Sequence, residues 1–180
     1  DATGLVTGKS DGTTTISYTL TNGSGCIATV TYDVTINALP AVANSTGNNT
    51  ICVGKTSQLS NTALGGVWSS SAPGVATVDA SGILTGLSVG SADITYTVTN
   101  ASGCVTAVIT PVTIYALPVV AAITGTDNAC IGKTTQLSNP TSGGVWSSSA
   151  PAVATVDATG LVAGLTAGTT TISYTVTNAN

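Results

Sequence analysis

The chain repeats itself at a fixed interval, and that interval limits what it can fold into. The phrase "GGVWSSSAPGVATVDASGILTG" at residues 65–86 returns at 143–164 as "GGVWSSSAPAVATVDATGLVAG", and the first eight residues, "DATGLVTG", are its tail. Asp1, Asp79 and Asp157 keep a spacing of 78, as do Trp68 and Trp146, Cys26 and Cys104, and Cys52 and Cys130. "ALP" at 38–40 recurs at 116–118 with the same offset, so no insertion or deletion separates the copies. A constant period of this kind marks a modular array. A unit of 78 residues is large enough for one small core that has some reinforcement. The boundaries divide the chain into residues 1–40, the C-terminal part of one repeat; 41–118, a complete repeat; and 119–180, the N-terminal part of a third that lacks its last strand. A start in mid-repeat and the lack of Met are read as an internal section of a longer chain, with targeting signals elsewhere.

The texture within a repeat is β. Val, Ile and Thr dominate, and Gly, Asn, Ser and Pro cluster between short runs. In "ADITYTVTN" the residues Ile94, Tyr96 and Val98 fall on one face and Thr95, Thr97 and Thr99 on the other, as a half-buried strand requires. "NASG" at 100–103 supplies a hairpin turn, and "CVTAVITPVTIY" returns as a long strand. Pro111 cannot donate to a ladder, so an edge or a bulge is expected there. "KTSQLS" and "GGVWSSS" read as strands. "GVATVDASGILTG" reads as two more, folded about a turn in which Asp79 accepts a backbone hydrogen bond and Gly82 takes positive φ. Asp157 and Gly160 repeat that turn. With a first strand near Val42, the count is about seven short strands, which predicts an all-β fold of tandem sandwiches with Greek-key connections.

The stretch "VWSSSAPGVATVDASGILTGLSVGSADITYTVT" resembles the bacterial immunoglobulin-like domain, group 2, found in invasin- and intimin-type surface proteins. The matching positions are Trp68, Ser69 and Ser70, then Val75 to Asp79, Gly82, Gly86, Leu87, Gly90 and Ile94. The resemblance implies an extracellular stalk or adhesion module on a bacterial surface. The two cysteines per repeat depart from the family pattern.

In such a sandwich the first strand starts at the pole of the final hairpin, which predicts a Cys52–Cys104 disulfide, with Cys26 and Cys130 bonded outside the chain's span. Closing that loop would add about 4 kcal/mol by chain entropy. A metal site is the rival reading, but it needs about four ligands at short spacing and the chain has no His or Glu. A disulfide implies an oxidising, extracellular setting.

Residue types leave little room for chemistry. Charged residues are 6% of the chain, with three Lys, no Arg and seven Asp, against roughly 25% in an average soluble protein. No basic cluster exists to hold a nucleic acid, and no apolar run approaches the ~18 residues of a membrane span. Asp11, Asp33, Asp93 and Asp127 have Val89, Pro111, Thr15 and Asn49 as counterparts in other copies, so no carboxylate pair belongs to the repeat. "VGKT" at 53–56 lacks the spacing of a phosphate loop. Trp68 and Trp146 could stack on sugars, but a core Trp is common in this fold class. Rows of Thr could face an ice lattice, yet Thr is also the ordinary solvent-facing strand residue. The expectation is a non-catalytic protein without cofactor or metal, a structural segment of a surface stalk, fibre or filament; the alternative is an adhesion module for a host, matrix or carbohydrate ligand. Its expected partners are identical neighbouring repeats, with residues 25–40 of another copy able to supply the missing last strand.

Overall fold

Alternating side chains and closely spaced turns give a sandwich once each copy is followed through space. The computed structural model describes residues 3–178; Asp1, Ala2, Ala179 and Asn180 lie outside them. Among the described residues all regular structure is β, and the chain divides into two units between Tyr115 and Ala116.

The first unit holds a two-stranded ribbon, β1 (Gly12–Thr21) and β2 (Ile27–Ile36), followed by a complete repeat. The repeat contains β3 (Thr50–Cys52), β4 (Thr56–Gln58), β5 (Val67–Ser70), β6 (Ala76–Val78), β7 (Ile83–Gly86), β8 (Gly90–Thr99) and β9 (Val105–Tyr115). One sheet has the order β3-β9-β8-β5 and the other β4-β7-β6. Strands consecutive in sequence thus change sheets between β3 and β4, β4 and β5, β5 and β6, and β7 and β8. This is the immunoglobulin-like sandwich.

The core follows from alternation. Ala92, Ile94, Tyr96 and Val98 all turn inward from β8, as the period of two requires. Ala92 and Ile94 cluster with Leu59, which follows β4, with Ala76 and Leu84 of the facing sheet and with Val112 and Ile114 of β9. Each fully buried Leu, Ile or Val contributes about 1.5–3 kcal/mol relative to exposure. Trp68 is half-buried against this cluster, its ring 4.5 Å from that of Tyr96. The Tyr96 hydroxyl donates to the Ala63 carbonyl at 2.7 Å and accepts from the Gly66 N–H at 3.0 Å, which ties the loop before β5 to β8.

Two expectations need adjustment. Near Val42 there is no strand; ladder pairing starts with an isolated bridge between Thr46 and Ser60 and continues in β3. Pro111 sits in unbroken register opposite Asp93, without a bulge. β3 reaches β9 only from Thr113 onward, so Pro111 lies on a stretch that is an edge on that side, where no N–H is required. The Asn49 side-chain amide donates to its carbonyl at 3.0 Å.

The second unit holds β10 (Thr124–Gly125), β11 (Thr134–Ser138), β12 (Val145–Ser148), β13 (Ala154–Val156), β14 (Leu161–Gly164) and β15 (Ile172–Thr175). Its sheets run β10-β11-β14-β13 and β12-β15. The pairings of β11 to β15 reproduce those of the complete repeat 78 residues earlier, for example Trp146 opposite Tyr174 as Trp68 is opposite Tyr96, and β10 extends the isolated Thr46–Ser60 bridge into a two-residue ladder. The segment equivalent to β3 forms no ladder here, and β15 is shorter than β8.

Candidate functional site

The second unit repeats the pairings of the complete repeat, so the two can be compared residue by residue. In the complete repeat, Val112 and Ile114 of β9 fill the gap between the sheets and are 1% exposed. The second unit has an open groove of about 530 Å³ at that place, lined by Ile123, Leu137, Val153, Ala154, Val162 and Ile172 among others. Ile172 and Leu137 are half-exposed there, whereas their counterparts Ile94 and Leu59 are buried.

In the β1–β2 ribbon Ile16, Tyr18, Leu20, Ile27, Val30 and Tyr32 are exposed. Val34 and Ile36 are the counterparts of Val112 and Ile114 and are half-exposed. Ile36 still packs on Gly8, where an added Cβ would lie 2.8 Å from its Cγ2, just as Ile114 packs on Gly86 at 2.9 Å.

The joint after each last strand carries a repeated set of polar contacts. In the turn Asn100–Cys104, Asn100 Oδ1 accepts from the N–H groups of Ser102 and Cys104 at 3.1 and 2.9 Å. Its Nδ2 donates to the Ala38 carbonyl at 2.8 Å, on the segment leaving β2. Asn178 donates to Ala116 in the same way at 2.7 Å. The turn was legible in "NASG"; the donation to Ala38 was not, although the recurrence of Asn and of "ALP" at one interval was its visible sign.

The expected Cys52–Cys104 disulfide must be corrected. All four cysteines are free, and Cys52 and Cys104 sit at opposite ends of β9. The reason lies in strand direction. β3 runs parallel to β9 and ends with Cys52 beside Tyr115, whereas Cys104 precedes the first residue of β9. Eleven residues of strand span about 36 Å, against the ~4.4–6.8 Å between bridged Cα atoms. Cys104 instead places its Sγ 3.8 Å from the Asn37 carbonyl oxygen. Cys26 and Cys130 are exposed.

The turn between β6 and β7 is the most closely satisfied local feature. Asp79 Oδ1 accepts from the Ser81 hydroxyl at 2.6 Å, the Ser81 N–H at 2.9 Å and the Ile83 N–H at 2.9 Å. The Ser81 hydroxyl first, then the Ile83 N–H, hold the Asp79 carboxyl below the ordinary carboxylate value. Asp157 has the same arrangement, with the Thr159 hydroxyl and then the Leu161 N–H lowering its pKa. Gly82 and Gly160 have φ of 85°. A Cβ on Gly82 would strike the Leu59 carbonyl oxygen, and one on Gly160 that of Leu137. These aspartates therefore organise backbone. Trp146 is half-buried with its ring 4.7 Å from that of Tyr174.

Two solved structures, surface layer protein SbsC, domains 1–6, and the S-layer protein rSbsC(31-844), are each similar at 16% identity and a TM-score of 0.35. Each alignment covers 98% of this chain and 35% of the other. No curated protein matches the chain. The profile of the bacterial Ig-like domain (group 2) matches residues 48–109 and again 121–180. Two matches in tandem cover more than half of the sequence, and the chain belongs to the bacterial Ig-like domain (group 2) family.

Proposed function

We propose that the chain is a non-catalytic structural segment of an extracellular bacterial stalk or fibre, built from 78-residue repeats joined head to tail. The observation that carries this reading is the recurrence of one joint contact, Asn100 to Ala38 and Asn178 to Ala116, at the same offset. A polymer of equivalent joints needs the same contact every period, whereas a ligand site needs only one favourable surface. The domain boundaries proposed with it are residues 1–40, 41–118 and 119–180. Neighbouring identical repeats are its partners in this reading, with Val34 and Ile36 of residues 25–40 the counterparts of the Val112 and Ile114 that fill a sandwich. Electron microscopy of native material tests the reading. Beaded fibres with an axial repeat near the ~36 Å length of the longest strand support it. Isolated particles with no axial repeat overturn it.

A further inference from the structure

Cys52 and Cys104 cannot bridge within one repeat, yet both approach the same backbone position of the 78-residue register. Cys52 is in register with Tyr115, and the next N–H along the chain, that of Val53, donates to the Tyr115 carbonyl at 2.9 Å. Cys104 places its Sγ 3.8 Å from the carbonyl oxygen of Asn37, which is Tyr115's counterpart 78 residues earlier. Cys52 thus lies beside this residue of the register from inside its own repeat, one position before the N–H that binds its carbonyl. The cysteine at the 104 position meets it from the repeat that follows. Both are half-exposed, so an oxidant can reach them.

We propose that the cysteines form a disulfide across each joint, linking the 52 position of one repeat to the 104 position of the next. The proposal rests on the reading of repeats in head-to-tail series. In the reaction two S–H bonds break and one S–S bond forms. The two electrons and two protons pass to a disulfide oxidant of the extracellular space, which leaves as two thiols. Cys52 and Cys130 bond to the repeat after them, and Cys26 and Cys104 to the repeat before. No thiol is left over inside an array, and none bridges within one copy. The period fits either pairing; the direction of β3 and the contact of Cys104 with Asn37 select the one across the joint.

The following repeat can belong to the same polypeptide or to a second copy whose residues 25–40 enter the groove, and the sulfur chemistry is the same in either case. Cleavage before each Asp separates the cysteines into peptides 11–32, 33–78, 93–126 and 127–156. The full chain lengthened after Asn180 by a copy of residues 25–40 continues the repeat in register and places a cysteine two residues past Asn180. After oxidation with glutathione disulfide, mass spectrometry of the unreduced digest is expected to find 33–78 linked to the peptide with that added cysteine. A link between 33–78 and 93–126, or free thiols at both predicted positions, overturns the proposal. On unreduced native material, 33–78 linked to 11–32 identifies a second copy, and 33–78 linked to a different repeat sequence identifies a longer polypeptide. Beaded fibres whose cysteines are unlinked overturn the disulfide and leave the structural role standing. Linked cysteines without fibres do the reverse.

Discussion

Gly82 combines two demands that no other residue type meets together. Its φ of 85° is strained for a side chain, and the space a Cβ would occupy is held by the Leu59 carbonyl, whose own N–H donates to the Gly82 carbonyl at 2.9 Å. Gly82→Ala is expected to cost more than the ~1–2 kcal/mol of the backbone conformation alone, read as a lowered urea midpoint. Gly103→Ala, at φ 79° with open space around it, should stay within that range; equal losses at both positions would remove the steric argument. Asp79 and Asp157 govern the response to acid. Their folded-state values lie below 3.8, so the stability they supply is complete above the unfolded value and is lost as pH falls through the folded one. Thermal midpoints should be level from about pH 7 to pH 5 and decline below about pH 4. Asn at both positions should flatten that decline while keeping an acceptor oxygen. An unchanged decline in the double variant would assign the acid response to other groups. Both carboxyls face solvent, so added salt should weaken the effect.

At the scale of elements, the turn Asn100–Cys104 holds its own backbone and the exit from the previous strand with one side chain. Asn100→Ala removes both functions and is expected to cost about 1–2 kcal/mol in chemical denaturation. Asn100→Asp keeps the acceptor for the turn but loses the donor to Ala38, so its loss should be smaller. A loss as large as that of Ala would place the whole effect in the joint. What the sequence made legible divides along the same line. β8 could be read from alternation, and the β6–β7 turn from Asp79 and Gly82, because those signals are local. The short strand β3 could not be placed from its own residues. Its pairing depends on β9, some sixty residues away, and the wrong cysteine partner followed from assuming which pole it approached. Pro111 was read as marking an edge or a bulge, and the edge is the one that stands, since a missing N–H constrains a residue wherever its partner lies. The Ala38 contact is a product of tertiary packing that no single segment encodes.

At the scale of the whole chain, the complete and incomplete sandwiches should unfold separately. The second unit lacks the strand that buries Val112 and Ile114 in the first, and its Trp146 reports on it as Trp68 reports on the complete one. In Trp68→Phe and Trp146→Phe variants, the Trp146 signal is expected to change at lower urea than the Trp68 signal. A synthetic peptide of residues 25–40 with Cys26→Ser should move the Trp146 transition toward that of Trp68. A peptide that also carries Val34→Asp and Ile36→Asp should not. Coincident transitions without peptide would show that the missing strand contributes little to this unit.

The parallel pairing of β3 with β9 has a mechanical consequence. The chain enters β3 at Thr50 and leaves β9 at Tyr115, and because the strands run the same way, those two points face opposite directions. Tension applied between them slides one strand along the other, so the rungs from Thr50–Thr113 to Cys52–Tyr115 share the load and rupture together. The β1–β2 ribbon is antiparallel, and Gly12 and Ile36 lie at the same end. Pulled there, it unzips one rung at a time at low force. A short ladder of three pairs thus acts as the clasp of the domain when the chain is stretched.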